Sequence, residues 1–137
     1  MRRAIALLSL LLATGSSPAR AAEASETAGV KDAEAWLELI DAGKYGASWD
    51  QASMLFRKGV SRQAWETQAA VARDPLGKVI SRKIASKQLT HQLPGGPDGT
   101  YVVVVYNTRL VHKERAQEIV TMMLEGGRFR GAGYFIR

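Results

Sequence analysis

Residues 93–110 read LPGGPDGTYVVVVYNTRL, and two kinds of chemistry meet there. Leu93 to Gly99 packs two prolines and three glycines into seven residues, a dense signal for a turn. Tyr101 to Leu110 then sets four valines between two tyrosines. β-Branched and aromatic side chains fit a pleated, buried surface, so this segment is predicted to be a strand. Downstream, Ala116 to Glu125 is predicted to be another strand, although Ile119, Met122 and Met123 also suit a helix. Gly126-Gly127 suits a two-residue hairpin turn, and Phe129 to Ile136 completes the series. Upstream of the turn, Lys78 to Leu93 has mixed polarity and few helix stop signals, and reads as the first strand. Four consecutive strands with short connections predict an antiparallel meander.

Before Lys78 the apolar period changes from two to 3.6. Ala33, Trp36, Leu37 and Ile40 form one helical stripe, which Gly43 stops. Tyr45, Trp49, Ala52 and Phe56 form a second, ending at Gly59. Ser61 is a candidate N-cap for a third helix carrying Trp65, Ala69 and Ala72, terminated by Pro75 to Gly77. Three helices followed by four strands predict an α+β fold, with the helices on one face of an antiparallel sheet. The strands are apolar on both alternating faces. Val103 and Val105 oppose Val102, Val104 and Tyr106; Ile119 and Met123 oppose Val120, Met122 and Leu124; Phe129 and Phe135 oppose Tyr134 and Ile136. Three short helices cover one face, so the second is expected to be covered by something else.

The N-terminus has the plan of a secretory signal peptide. Arg2 and Arg3 precede an apolar run from Ala4 to Ala13. As a helix, ten residues reach about 15 Å, half of a ~30 Å hydrocarbon core. Ala19-Arg20-Ala21 offers small residues for cleavage before Ala22. The organisation expected is a signal peptide over 1–21, a flexible arm over 22–29 and one α+β domain over 30–137. The whole chain carries 19 basic and 13 acidic residues, a net +6. Without Arg2, Arg3 and Arg20, 16 against 13 leaves +3, scattered, which does not suggest nucleic acid as a partner. No cysteine is present, which excludes disulfides, thiol catalysis, thiolate metal sites and lipoprotein anchoring. The expected location is periplasmic or secreted, with no membrane span after signal cleavage.

Candidate chemistry is sparse. His91 and His112 lie in no ligand spacing. Asp41 and Asp50 lack the apolar surroundings that raise a carboxylate pKa and read as helix-end or surface groups. Leu76-Gly77-Lys78 and the 95–99 glycines lack phosphate-loop spacing. Trp36, Trp49 and Trp65 read as anchors of one helix each, since a buried Trp removes ~150–250 Å² from water. No catalytic residue, metal ligand or cofactor is assigned. Arg82, Tyr106 and Glu118 are the candidate ligand-binding residues, because mid-strand polar groups need partners or a cleft. Arg82 and Glu118 suit an ion pair equally.

Several blocks together resemble a family of exported bacterial proteins, the domain of unknown function 4019. They are Trp36-Leu37 through Lys44-Tyr45 and Ser48-Trp49-Asp50; Arg73 with Pro75-Leu76-Gly77; Ser81-Arg82; Leu93-Pro94-Gly95 through Tyr101-Val102-Val103; Lys113, Glu118 and Val120-Thr121; and Gly133 to Ile136. The resemblance implies an exported single domain with no established activity. It also implies a cystatin-like or nuclear-transport-factor-2-like architecture, a curved sheet wrapped by helices, and that architecture leaves function open. The leading expectation is a non-enzymatic binding or interaction module that forms a homo-oligomer through its sheet, its other partner being an envelope protein or a small molecule. The alternative is a small-ligand carrier with a pocket between helices and sheet. A small hydrolase or isomerase is the third.

Overall fold

In the computed structural model, the residues described are Gly15 and 17–137. The charged start and apolar run expected of a signal peptide lie outside the described residues. Four helices come first: α1 (Pro18–Asp41), α2 (Tyr45–Gln51), α3 (Met54–Gly59) and α4 (Arg62–Arg73), followed by a 3-10 turn at Asp74–Leu76. Four strands complete the chain: β1 (Val79–Thr90), β2 (Tyr101–Leu110), β3 (Lys113–Glu125) and β4 (Arg128–Ile136). The sheet order is β1-β2-β3-β4, antiparallel throughout. The fold is α+β, with helices on a four-stranded meander.

The helices differ from the sequence reading in two places. α1 begins at Pro18, with the Ser17 hydroxyl accepting from the Arg20 N–H, so residues 22–29, expected as a flexible arm, are helical. Gly29 is buried against β2, where a Cβ would lie 2.5 Å from Val102 Cγ2. The absence of a side chain lets the helix lie directly on the strand. The single helix expected from Tyr45 to Gly59 is two. Ala52 is extended (φ −71°, ψ 165°), and the Ser53 hydroxyl caps α3 through the Phe56 N–H at 3.1 Å. The Ser53 N–H donates to the Gly131 carbonyl at 2.8 Å, which ties the break to the edge strand.

The core lies between the helices and one sheet face. Ala33, Trp36, Leu37 and Ile40 of α1 and Trp65 and Ala69 of α4 meet Val102, Val104, Tyr106, Val120, Met122 and Phe129. Trp36 and Trp65 stack at 6.4 Å, and Phe56 meets both edge-on. All three indole N–H groups are satisfied around α2: Trp36 donates to the Ser48 carbonyl, Trp65 to the Ser48 hydroxyl and Trp49 to the Val60 carbonyl. Each tryptophan therefore fastens helix to helix, and Trp36 and Trp65 also meet the sheet, at Gly131 and Tyr134.

One strand-face assignment is corrected. Thr121 pairs with Gly133, but Met122 pairs with Gly131, so Ala132 is an extra residue in β4. A bulge of this kind shifts side-chain parity by one. Phe129 and Tyr134 consequently both face the helices, packed in the core or against it. Phe135 alone points to the outer face, 72% exposed.

Candidate functional site

Polar side chains from every strand and from two helices converge inside this frame. Glu118, mid-β3, has no exposed surface. Its Oε1 accepts from Arg82 Nε at 2.8 Å and from the Thr108 hydroxyl at 2.5 Å. Its Oε2 accepts from the Tyr134 hydroxyl at 2.5 Å and from Arg82 Nη2 at 3.2 Å. The Arg82 fork also donates to both oxygens of Asp41, at 2.8 and 2.9 Å. Arg73, 4% exposed, donates to Asp41 Oδ1 at 2.9 Å and to the Tyr134 oxygen at 3.2 Å, and its Nη1 lies 3.7 Å from Glu118. Two guanidinium groups thus balance two carboxylates.

The sequence builds this locally. Thr108 stands opposite Arg82 on one side and opposite Ala116 on the other, so Arg82 reaches Glu118 diagonally across β2. On the way its guanidinium lies 5.8 Å from the Tyr106 ring centroid, within cation–π range. Arg73 closes α4 and Asp41 closes α1. A cation suits a helix C-terminus and an anion does not, and Asp41 is held there by two arginines.

Burial raises the Glu118 pKa, but donors from Arg82, Thr108 and Tyr134 outweigh it and hold the carboxyl below its ordinary range. Asp41 is lowered in the same way: burial opposes the charge, and Arg82 and Arg73 more than offset it. Burial pushes the Tyr106 phenol up to about 12, helped by Glu34. Burial and the neighbouring Glu118 raise Tyr134 well beyond the ordinary phenol value. Both phenols are therefore protonated at neutral pH, and Tyr134 acts as a donor. A general base must reach a substrate proton. Glu118 is enclosed and its oxygens are already occupied by four donor atoms.

The structure brings Arg82, Tyr106 and Glu118 together. It adds Asp41, Arg73, Thr108 and Tyr134. The Tyr106 hydroxyl and Arg73 Nε are buried without a hydrogen-bond partner. None of the three predicted residues lines a described cleft. A cleft of about 250 Å³ opens beside the network at Asp41, Tyr45, Arg73, Asp74 and Lys78. Another, of about 300 Å³, lies across α1 and is floored by Trp36, Leu39, Met122 and Phe129. It is the nearest feature to a pocket between helices and sheet. Asp50 pairs on the exposed surface with Arg62 at 3.1 Å, apart from Asp41's network. His91 and His112 are exposed, and no cluster of three potential metal ligands occurs among the described residues. No helix among them is long and apolar enough to cross a membrane.

Arg73 had a readable signal: it follows Ala69 at i+4, on the apolar stripe of α4, where a charge needs a buried partner. Tyr134 had none, because the β4 bulge set its face.

Fold and site define a small α+β domain whose helices are fastened to a meander by a buried, charge-balanced network. The chain belongs to the family described as protein of unknown function (DUF4019), whose model matches residues 32–134. All six hydrogen-bonded members of the network fall within that span. No curated protein matches the chain.

Proposed function

We propose that this chain is an exported, periplasmic or secreted interaction module, non-enzymatic, that pairs with a second copy of itself through the outer face of its sheet. The carrying observation is Phe135, 72% exposed on a strand. It stands in register with Ile119, which pairs in turn with Val105. Val103, one row along, extends an apolar strip across the face that the helices leave open.

Four strands at ~4.8 Å spacing and ten residues at ~3.3 Å give a face of roughly 600 Å² in projection. Side-chain relief brings this toward the ~800 Å² per partner of a standard interface. The 93–99 turn covers one end, where the Tyr101 hydroxyl donates to the Pro97 carbonyl at 2.5 Å and Tyr101 is fully buried. The remaining strip is open. The closed state of Glu118 argues for a fastening network, not an acid/base centre. Export rests on the signal-like N-terminus, and residues 17–24, around the cleavage site, are all exposed, so processing before Ala22 takes nothing from the core.

Sedimentation velocity of residues 22–137 at micromolar concentration tests the pairing. The expected result is a dimer, with Val105→Asp or Phe135→Asp running as folded monomers. A monomeric wild-type protein would overturn the reading.

A further inference from the structure

The outer face changes character toward the β2–β3 turn. There Ser81, Lys83, Asn107, Arg109 and Arg115 surround a shallow basin of about 410 Å³, with Glu114 beside them. The register explains the cluster. Ser81 pairs with Arg109 and Lys83 with Asn107. Between the pairs Thr108–Ala116 and Leu110–Lys113, β3 sets Glu114 and Arg115 against the single Arg109. The bulge crowds two arginines together, with a lysine on the neighbouring strand.

Like charges on adjacent strands destabilise a sheet. Five other cations among the described residues have ion-pair partners: Arg62 with Asp50 and Glu66, Arg73 and Arg82 with Asp41 and Glu118, Lys87 with Glu26, Arg130 with Glu125. Lys83, Arg109 and Arg115 are all exposed, and none makes an ion pair among the described residues. Three cations less the Glu114 carboxylate leave +2. A phosphate monoester carries about −1.5 to −2 near neutral pH, whereas a single carboxylate would leave a positive charge unmatched.

We infer that this basin binds a phosphate-bearing anion. Arg109 and Arg115 offer planar forks for its oxygens, Lys83 a point charge, and the Ser81 hydroxyl and Asn107 amide neutral donors. Soluble phosphate monoesters match this charge with one group, and phosphodiester headgroups, at about −1 each, match it in pairs at an anionic membrane surface. The basin uses residues other than the apolar strip.

The test is an amide chemical-shift titration of residues 22–137 with inorganic phosphate at constant ionic strength, beside sedimentation with phosphatidylglycerol or phosphatidylcholine vesicles. The double variant Arg109→Gln/Arg115→Gln changes exposed side chains only, and its spectrum away from the basin reports that it is folded. Saturable shifts at Ser81, Lys83, Asn107 and Arg115, weakened at least ~tenfold in the variant, support the site and assign it to soluble phosphate. Retention on phosphatidylglycerol but not phosphatidylcholine vesicles, lost in the variant, supports it and assigns a headgroup. Unsaturable shifts with no selective retention, or equal binding by variant and wild type, overturn it.

Discussion

Glu118 has no exposed surface, yet it stays ionised because its oxygens accept from Arg82, Thr108 and Tyr134. Removing one partner from a buried ion network leaves the others desolvated and unmatched, at a cost of ~3–5 kcal/mol. Glu118→Gln is therefore expected to lower unfolding free energy by about 3 kcal/mol or more in urea titrations. A loss under about 1 kcal/mol would show that the network is not a fastening. Arg82→Met/Glu118→Leu removes a charge from each side and keeps Asp41 with Arg73, and it is expected to recover much of that loss. The same carboxylates set a pH dependence. Asp41 and Glu118 have ordinary values of 3.8 and 4.5, and both are lowered in the folded state. A group with a depressed folded pKa contributes stability that is complete above its unfolded value and lost as pH falls through the folded one. Stability is expected to hold from neutral pH down to about 5, then fall steeply below about 4. Urea midpoints across that range should show a shallower fall in Asp41→Asn/Glu118→Gln than in wild type.

The helix break at Ala52-Ser53 and the β4 bulge at Ala132 act at the scale of elements, and they meet. The Ser53 N–H holds the Gly131 carbonyl, and the Trp36 ring occupies the space where a Gly131 Cβ would project. Gly131→Ala forces ring or strand to move, and a core overpacked in this way loses ~1–3 kcal/mol. Urea unfolding followed by tryptophan emission is the measurement, and an unchanged midpoint would mean that the ring yields freely. The two devices were not equally legible in the sequence. Tyr101–Leu110 emerged residue for residue, because a prolyl-glycyl turn bounds it and its run of β-branched and aromatic residues is unbroken as far as Tyr106. The Ser61 cap was equally plain. The apolar stripe from Tyr45 to Phe56 concealed the α2–α3 break, since Ser53 sits between apolar positions and reads as a helical residue until its hydroxyl turns back to Phe56. Tyr134 was set opposite Phe129 because simple alternation takes no account of an inserted residue. The three predicted site residues were visible as polar positions in apolar strands. Asp41 was read as a helix end, since its partners come from α4 and β1, far off in sequence.

At the scale of the whole molecule, one sheet face is finished and the other is not. α1 crosses all four strands, with Glu26 paired to Lys87 of β1, Gly29 on Val102 of β2, and Asp32 accepting from the Phe129 N–H of β4. Inside, charge is balanced within the chain. Outside, Phe135 is exposed, and Ile119, Val105 and Val103 beside it are partly so. If a second copy covers them, folding and association are linked, because a partner that binds only the folded chain stabilises it by mass action. The melting temperature of residues 22–137 is then expected to rise by a few degrees across a hundredfold increase in protein concentration, as for a 100-residue domain that gains 1 kcal/mol or so. Phe135→Asp is expected to melt at a temperature independent of concentration, near that of the dilute wild type. Differential scanning calorimetry over that range separates the cases. A wild-type melting temperature that does not move with concentration, together with a Phe135→Asp value that matches it, would mean that this face is open in the working protein.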